Sequence, residues 1–192
     1  MLARLYNWTM ALSAGPRALW ALAAVAFAES SVFPIPPDIL MIPMILAQRR
    51  RAFLIATVAT IASVLGGLAG YVIGAFFYDQ VGQPVLEALG KAHSMEEFNT
   101  RFNGLGFWAV LVAGLTPFPF KVITIMSGWT GMPLGTFLVT SIVARGLRFY
   151  IVSALLWRFG EPIRHFIERR LALVFTLFVA ALIGGFLAVR FL

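Results

Sequence analysis

The sequence predicts an all-α integral membrane protein, an inverted repeat with two re-entrant helical hairpins, about three full transmembrane spans and an N-terminal interfacial helix. Three observations predict it. Of the 192 residues, 60% are apolar and only 12% charged, with mean hydropathy +0.90, and no water-facing domain can be clothed from such a composition. Two apolar stretches are broken by clustered prolines while others run uninterrupted. The broken stretches share a Pro-x-Pro signature, because Pro34 and Pro36 precede Pro117 and Pro119 by 83 positions each. The chain, 1–192, reads as one transmembrane domain with a short polar insertion.

The elements follow in order. Residues 1–16, with Leu2, Leu5, Tyr6 and Trp8, read as an interfacial helix at the headgroups. Ala26-Phe27-Ala28 resembles a signal-peptidase site, but the apolar run continues past it, so the segment reads as retained. Residues 18–47 are interrupted by Pro34, Pro36, Pro37 and Pro43. Proline removes an amide donor and clashes with the preceding turn, and broken backbone at membrane depth survives only where protein or water satisfies it. A re-entrant hairpin meets that condition, with Pro-kinked straight helices as the alternative. Residues 52–78 are uncharged and form a span, with Ala62, Gly66, Gly70 and Gly74 as one small-residue stripe for close packing.

Residues 79–103 are the one polar segment, an expected amphipathic surface helix with Leu86, Leu89, Phe98 and Phe102 on one side and Gly104 as its C-cap. Residues 105–131 form the second expected hairpin, each arm roughly half a membrane long around Pro117 and Pro119. Residues 133–157 and 171–190 are the remaining expected spans.

Two hairpins return the chain to the side it came from, which puts Arg4, Arg17, Arg49, Arg50, Arg51, Arg158, Arg164, Arg169 and Arg170 on one side. The positive-inside bias makes that side cytoplasmic. The expectation is a multi-pass protein of the bacterial inner membrane, N-terminus cytoplasmic and C-terminus outside.

In the 83-residue register Asp38 falls on Lys121, so the two turns carry opposite charge at equivalent positions. Arg145 lies near the middle of its span, Arg148 one turn further, and Glu29 just before the first proline turn. On insertion scales each buried charge costs about 2.5 to 3.5 kcal/mol, so these five must pair or meet water. One outcome is a closed ion-pair network locking the hairpins together. The other is functional. Two carboxylates against three cations leave one positive charge over, which suits a phosphate or other anionic headgroup, and a desolvated Glu29 or Asp38 can carry a proton. Broken segments at the centre of an inverted repeat are where many transporters place their substrate.

The net charge of +7 has no solvated basic stripe with stacking aromatics, which argues against nucleic acid as a partner. The absence of cysteine excludes disulfides and thiolate chemistry. His93 and His165 have no carboxylate at ligand spacing and read as surface residues, so neither metal nor cofactor is expected. No nucleophile with a base and no phosphate loop is present, so an enzyme is not expected either.

Two motifs also carry a family resemblance. Glu29-Ser-Ser-Val-Phe-Pro34-Ile-Pro36-Pro37-Asp38 resembles the glutamate and Pro-rich acidic turn of the DedA family, also called SNARE-associated or VTT-domain membrane proteins. Gly114-Leu-Thr-Pro117-Phe-Pro119-Phe-Lys121 resembles that family's Gly-Arg-Phe-x-Pro-x-x-Arg turn. Leu115 stands where the common pattern has its first Arg and Lys121 where it has the second, departures that look like the YqaA-type branch. The resemblance spans residues 18–158 and implies two inverted re-entrant hairpins and lipid movement between leaflets, with polyprenyl phosphate and phospholipids as cargoes. It would assign Glu29 and Asp38 to proton or cation coupling and Lys121 to headgroup binding or charge compensation. Arg145 and Arg148 join the headgroup set by their depth alone.

The leading expectation is a lipid flippase or scramblase with membrane lipids and protons as partners and a homo-oligomer as an option. A proton- or ion-coupled solute carrier and a membrane scaffold are the alternatives.

Overall fold

A computed structural model describes residues 17–33, 35–88, 92–116 and 118–169. The expected interfacial helix 1–16 and the span 171–190 lie outside them, as do Pro34 and Pro117. The described residues are helical throughout, without a strand. The helices are α1 (Ala18–Ser31), α2 (Asp38–Ala47), α3 (Ala52–Phe77), α4 (Gln83–Ala88), α5 (Ala92–Gly104), α6 (Gly106–Leu115), α7 (Phe120–Trp129) and α8 (Leu134–Arg169). A 3-10 turn, Arg49–Arg51, leads into α3, and a π-helical turn, Tyr78–Gly82, leads out of it. Arg49–Gly82 and Leu134–Gly160 are long and apolar enough to cross a membrane, while α1, α2 and α6 are apolar but shorter.

The two long helices pack antiparallel. Thr57 meets the Tyr150 hydroxyl at 2.8 Å, Ser63 meets Arg145, and the Tyr71 ring lies 5.2 Å from that of Phe137, so positions advance on one helix as they recede on the other. The Arg49–Arg51 turn therefore reaches the region of Arg158. A Cβ at Gly160 would stand 2.8 Å from the Arg49 Nε. Asp79, Glu87, Glu96 and Glu97 follow the other end of α3, where the π-helical turn wraps the Trp129 ring against Tyr78. One end is basic and the other acidic.

Small residues allow this packing. A Cβ at Gly66 would land on the backbone of Phe27 in α1, and one at Gly74 on the carbonyl of Ile125 in α7, while Gly128 of α7 comes equally close to Tyr71. The stripe on α3 is thus a seam against two short helices, a close approach that only glycine permits. Leu22, Met41, Ile45, Ile55 and Phe149 fill the basic half, and Val110, Phe120, Met132 and Phe137 the acidic half. Ser30, Ser63, Thr124, Ser127 and Thr140 are fully buried among them, whereas Trp20, Phe76, Val139 and Ile151 face outwards. Polar groups inside and large apolar groups outside is the distribution that a hydrocarbon solvent selects.

Four local expectations are corrected. Pro43 does not interrupt its stretch, since α2 runs through it; a proline costs its helix one amide bond at that position, and burial of Pro43 and its neighbours Met44 and Ile45 holds the helix. The polar segment 79–103 is not one helix but a π-helical turn followed by α4 and α5, the break into α4 coming where Gly82 and Pro84 weaken a continuous ladder. Gly104 is the last residue of α5, not a left-handed cap, and among the described residues only Gly131 has positive φ, at 63°. The span expected over residues 133–157 is carried by Leu134–Gly160, but its helix does not end there, since α8 runs on to Arg169 with a kink at Phe159 three residues before Pro162.

Candidate functional site

Both proline turns end at one place, beside the middle of the apolar segment Leu134–Gly160 of α8. The first lies between Ser31 and Asp38, where Pro36 and Pro37 cannot continue α1 and instead start α2, Pro37 standing at its N-cap with φ −64°. The second lies between Leu115 and Phe120, where Thr116 is extended and Pro119 precedes α7. Arg145 and Arg148, one turn apart on α8, face the two breaks.

The Glu29 carboxylate, in the last turn of α1, accepts from Arg145 Nη2 at 2.7 Å and from Ser30 Oγ at 3.2 Å, and its second oxygen accepts the amide of Phe120 at 3.3 Å. Arg145 is 2% exposed. Its Nε donates to Ser63 Oγ at 2.6 Å, Ser63 and Ser30 share a hydroxyl contact at 2.6 Å, and the guanidinium lies 4.9 and 4.6 Å from the ring centroids of Phe120 and Phe149. Ion pair, hydroxyls and aromatic faces together replace the water both charges gave up.

Arg148 makes the second link. Its Nη2 donates to Asp38 Oδ2 at 2.6 Å and its Nη1 to the Thr116 carbonyl at 2.5 Å, while its Nε is buried without a partner among the described residues. Lys121 Nζ donates to the Val32 carbonyl at 3.1 Å, more exposed than the rest. Asp38 and Lys121, equivalent in the 83-residue register, are therefore not paired with each other.

Each broken helix end meets a charge of the sign its dipole favours. The carbonyl end of α1 receives Lys121 and that of α6 receives Arg148; the amide end of α7 receives Glu29, and Asp38 is the first residue of α2. Lys121 reaches from α7 to α1, and Glu29 from α1 to α7. All five expected side chains thus come together at the two turns, along with Pro36, Pro37 and Pro119. Ser30, Ser63, Phe120, Phe149 and the carbonyls of Val32 and Thr116 were missed. Ser63 had a weak signal, one of four hydroxyls, with Thr57, Thr60 and Tyr71, in the uncharged run of α3; the carbonyls had none, since every residue carries one. Among the described residues no group of three His, Asp or Glu side chains gathers for a metal, and His93 stands 3.8 Å from Glu97 on the exposed side of α5.

Residues 16–158 match the family model of the VTT domain. The chain belongs to the VTT-domain (DedA) family. A Haemophilus influenzae protein described as uncharacterized is 33% identical over 184 residues, 95% of each chain. A Histophilus somni protein described as an uncharacterized homologue is 35% identical over 168 residues, 85% of this chain and 87% of its own. No solved structure matches the chain. The family is membrane-associated, in keeping with the apolar helices, and the VTT match contains all five charges.

Proposed function

We propose that this VTT-domain protein moves an anionic lipid, a phospholipid or a polyprenyl phosphate, between the leaflets of the bacterial inner membrane without chemically altering it. The observation that carries the reading is the charge left over at the meeting of the two turns. Glu29 is matched by Arg145 and Asp38 by Arg148, and among the described residues Lys121 meets only a backbone carbonyl. One anion would complete the set.

Depth and orientation belong to the same proposal. Both arms of the first broken stretch reach the basic end and both arms of the second reach the acidic end, where Asn103 donates to the Thr130 carbonyl at 2.8 Å. In a bilayer these are re-entrant hairpins entered from opposite faces, an inverted repeat with its charges near the midplane. The basic end is cytoplasmic by the positive-inside bias, and the N-terminus with it. Glu29 and Asp38 are the carboxylates available to couple movement to protons.

A second reading has its own support. Glu29 is fully engaged on both oxygens, as expected if the charges only lock the turns of a membrane scaffold.

Reconstitution into liposomes with a labelled anionic phospholipid in one leaflet separates the readings. Wild type is expected to equalise the label, with Lys121→Ala slower by about tenfold, the scale of one lost charge contact. Retained asymmetry together with proton or solute uptake would point to a carrier. Unchanged movement in folded Lys121→Ala and Asp38→Asn would remove these charges from the site.

A further inference from the structure

The two ion pairs differ in how completely they are satisfied. Glu29 and Arg145 use both carboxylate oxygens, the Nε and an Nη, two hydroxyls and two aromatic faces. Asp38 and Arg148 share a single contact. One Asp38 oxygen takes Nη2, and among the described residues no hydrogen bond reaches the other. On Arg148 the Nε is buried and has no partner among the described residues, although Nη1 and Nη2 are both engaged. The side chains of this pair are each 15% exposed, against 2% for Arg145 and 10% for Glu29.

Guanidinium geometry gives the difference a meaning. Nε and Nη2 form the side-on edge of an arginine, two parallel donors whose spacing matches two oxygens of a carboxylate or phosphate. Asp38 fills only half of that edge. Leaving a buried donor unmade costs about 1 to 3 kcal/mol, so a ligand that engages both donors gains where Asp38 does not.

We infer that the Nε and Nη2 edge of Arg148 is an anion-binding fork that Asp38 half-occupies in the free protein, and that a phosphate-bearing headgroup takes the edge by displacing Asp38. The inference rests on the lipid reading above and assigns its site to Arg148 in particular. Nη1 stays on the Thr116 carbonyl, which holds the guanidinium in place through the exchange. Charge allows the exchange, because the anion brings three cations and two carboxylates to neutrality and Lys121 has only a carbonyl to release. The Glu29 and Arg145 pair stays closed and keeps the turns together.

The test is binding of a short-chain phosphatidic acid to the full-length protein in detergent, by calorimetry, with the zwitterionic phosphatidylcholine analogue and inorganic phosphate in parallel. An internal competitor predicts an unusual sign. Asp38→Asn binds phosphatidic acid about tenfold tighter than wild type, Asp38→Glu binds no tighter than wild type, and Arg148→Gln binds about tenfold weaker, on the scale of a buried charge contact. Tightening for phosphatidic acid alone identifies a lipid headgroup; tightening for inorganic phosphate too identifies the phosphate group itself. Unchanged or weaker binding by folded Asp38→Asn overturns the inference.

A measurement on wild type does not depend on how Asp38→Asn folds. In protein labelled with 15N-arginine, the one Nε–H resonance lost in Arg148→Lys shifts when phosphatidic acid is added; if it stays still, the fork is not the site. Lipid movement by wild type without tightening in Asp38→Asn sinks this inference and leaves the transport reading standing. Neither movement nor binding sinks both.

Discussion

Glu29 and Arg145 stand 116 positions apart and meet at 2.7 Å, one in the last turn of a short helix and the other near the middle of the long apolar segment Leu134–Gly160. Both sit where the first turn touches the second, so the bond ties α1, α7 and α8 together. Breaking a buried pair from one side strands the other charge. Glu29→Gln is expected to destabilise the protein by about 3 to 5 kcal/mol, and Glu29→Gln with Arg145→Met by clearly less than the two single changes summed. Thermal unfolding of the three variants in one detergent checks this, and additive losses would show that the pair holds nothing together.

Gly74 and Gly135 test the packing seam. A Cβ at Gly74 meets the Ile125 carbonyl, while one at Gly135 meets nothing within 4 Å. Gly74→Ala is expected to cost about 1 to 3 kcal/mol through overpacking against backbone. At Gly135, Ala brings up to about 1 kcal/mol from helix propensity. Opposite shifts in melting temperature are the expected readout, and two shifts of one sign would contradict it.

Tyr71 donates its hydroxyl to the Met132 carbonyl at 2.6 Å, linking α3 to the loop between α7 and α8. Tyr71→Phe keeps the ring against Phe137 and removes the bond alone. A loss of about 1 kcal/mol is expected, the usual net value of one hydrogen bond. Equal stability of the variant and wild type in the same unfolding assay would show that the bond contributes nothing.

The absence of native cysteine makes the topology directly measurable. Single cysteines at Arg17 and Gln48 flank the first broken stretch, and those at Asn103 and Gly131 flank the second. With a membrane-impermeant thiol reagent on intact cells, positions 103 and 131 are expected to react, and 17 and 48 only after the membrane is opened. Labelling of 17 and 48 from opposite faces would mean that the first stretch spans the bilayer and does not turn back.

Much of the local structure could be read in advance because its causes are local. Pro36, Pro37 and Pro119 stand at helix breaks for want of an amide hydrogen, whatever the surroundings. The run from Ala52 is helical to Phe77 because no charge and no proline intervenes. Pro43 shows the limit. Its missing bond is as local as the others, but buried neighbours on both sides decide that α2 continues. The same holds for residues 79–103, whose apolar spacing suits one helix although the chain turns around Trp129.

By itself, the sequence determined that the protein lives in a membrane, that its helices break at Pro36, Pro37 and Pro119, and that five charges there had to pair or meet water, since composition, proline chemistry and the cost of burying a charge act on each residue alone. The tertiary structure decided the partners. Asp38 could have met Lys121 and meets Arg148; Arg148 could have been saturated, and its Nε has no partner among the described residues; Lys121 settles on the Val32 carbonyl. These choices follow from the register of α8 against α3 and from that of α1 and α7 against α3, the latter set by glycine contacts between residues far apart in the chain. A pairing within a few ångströms depends on that register, and no single stretch of the chain contains it.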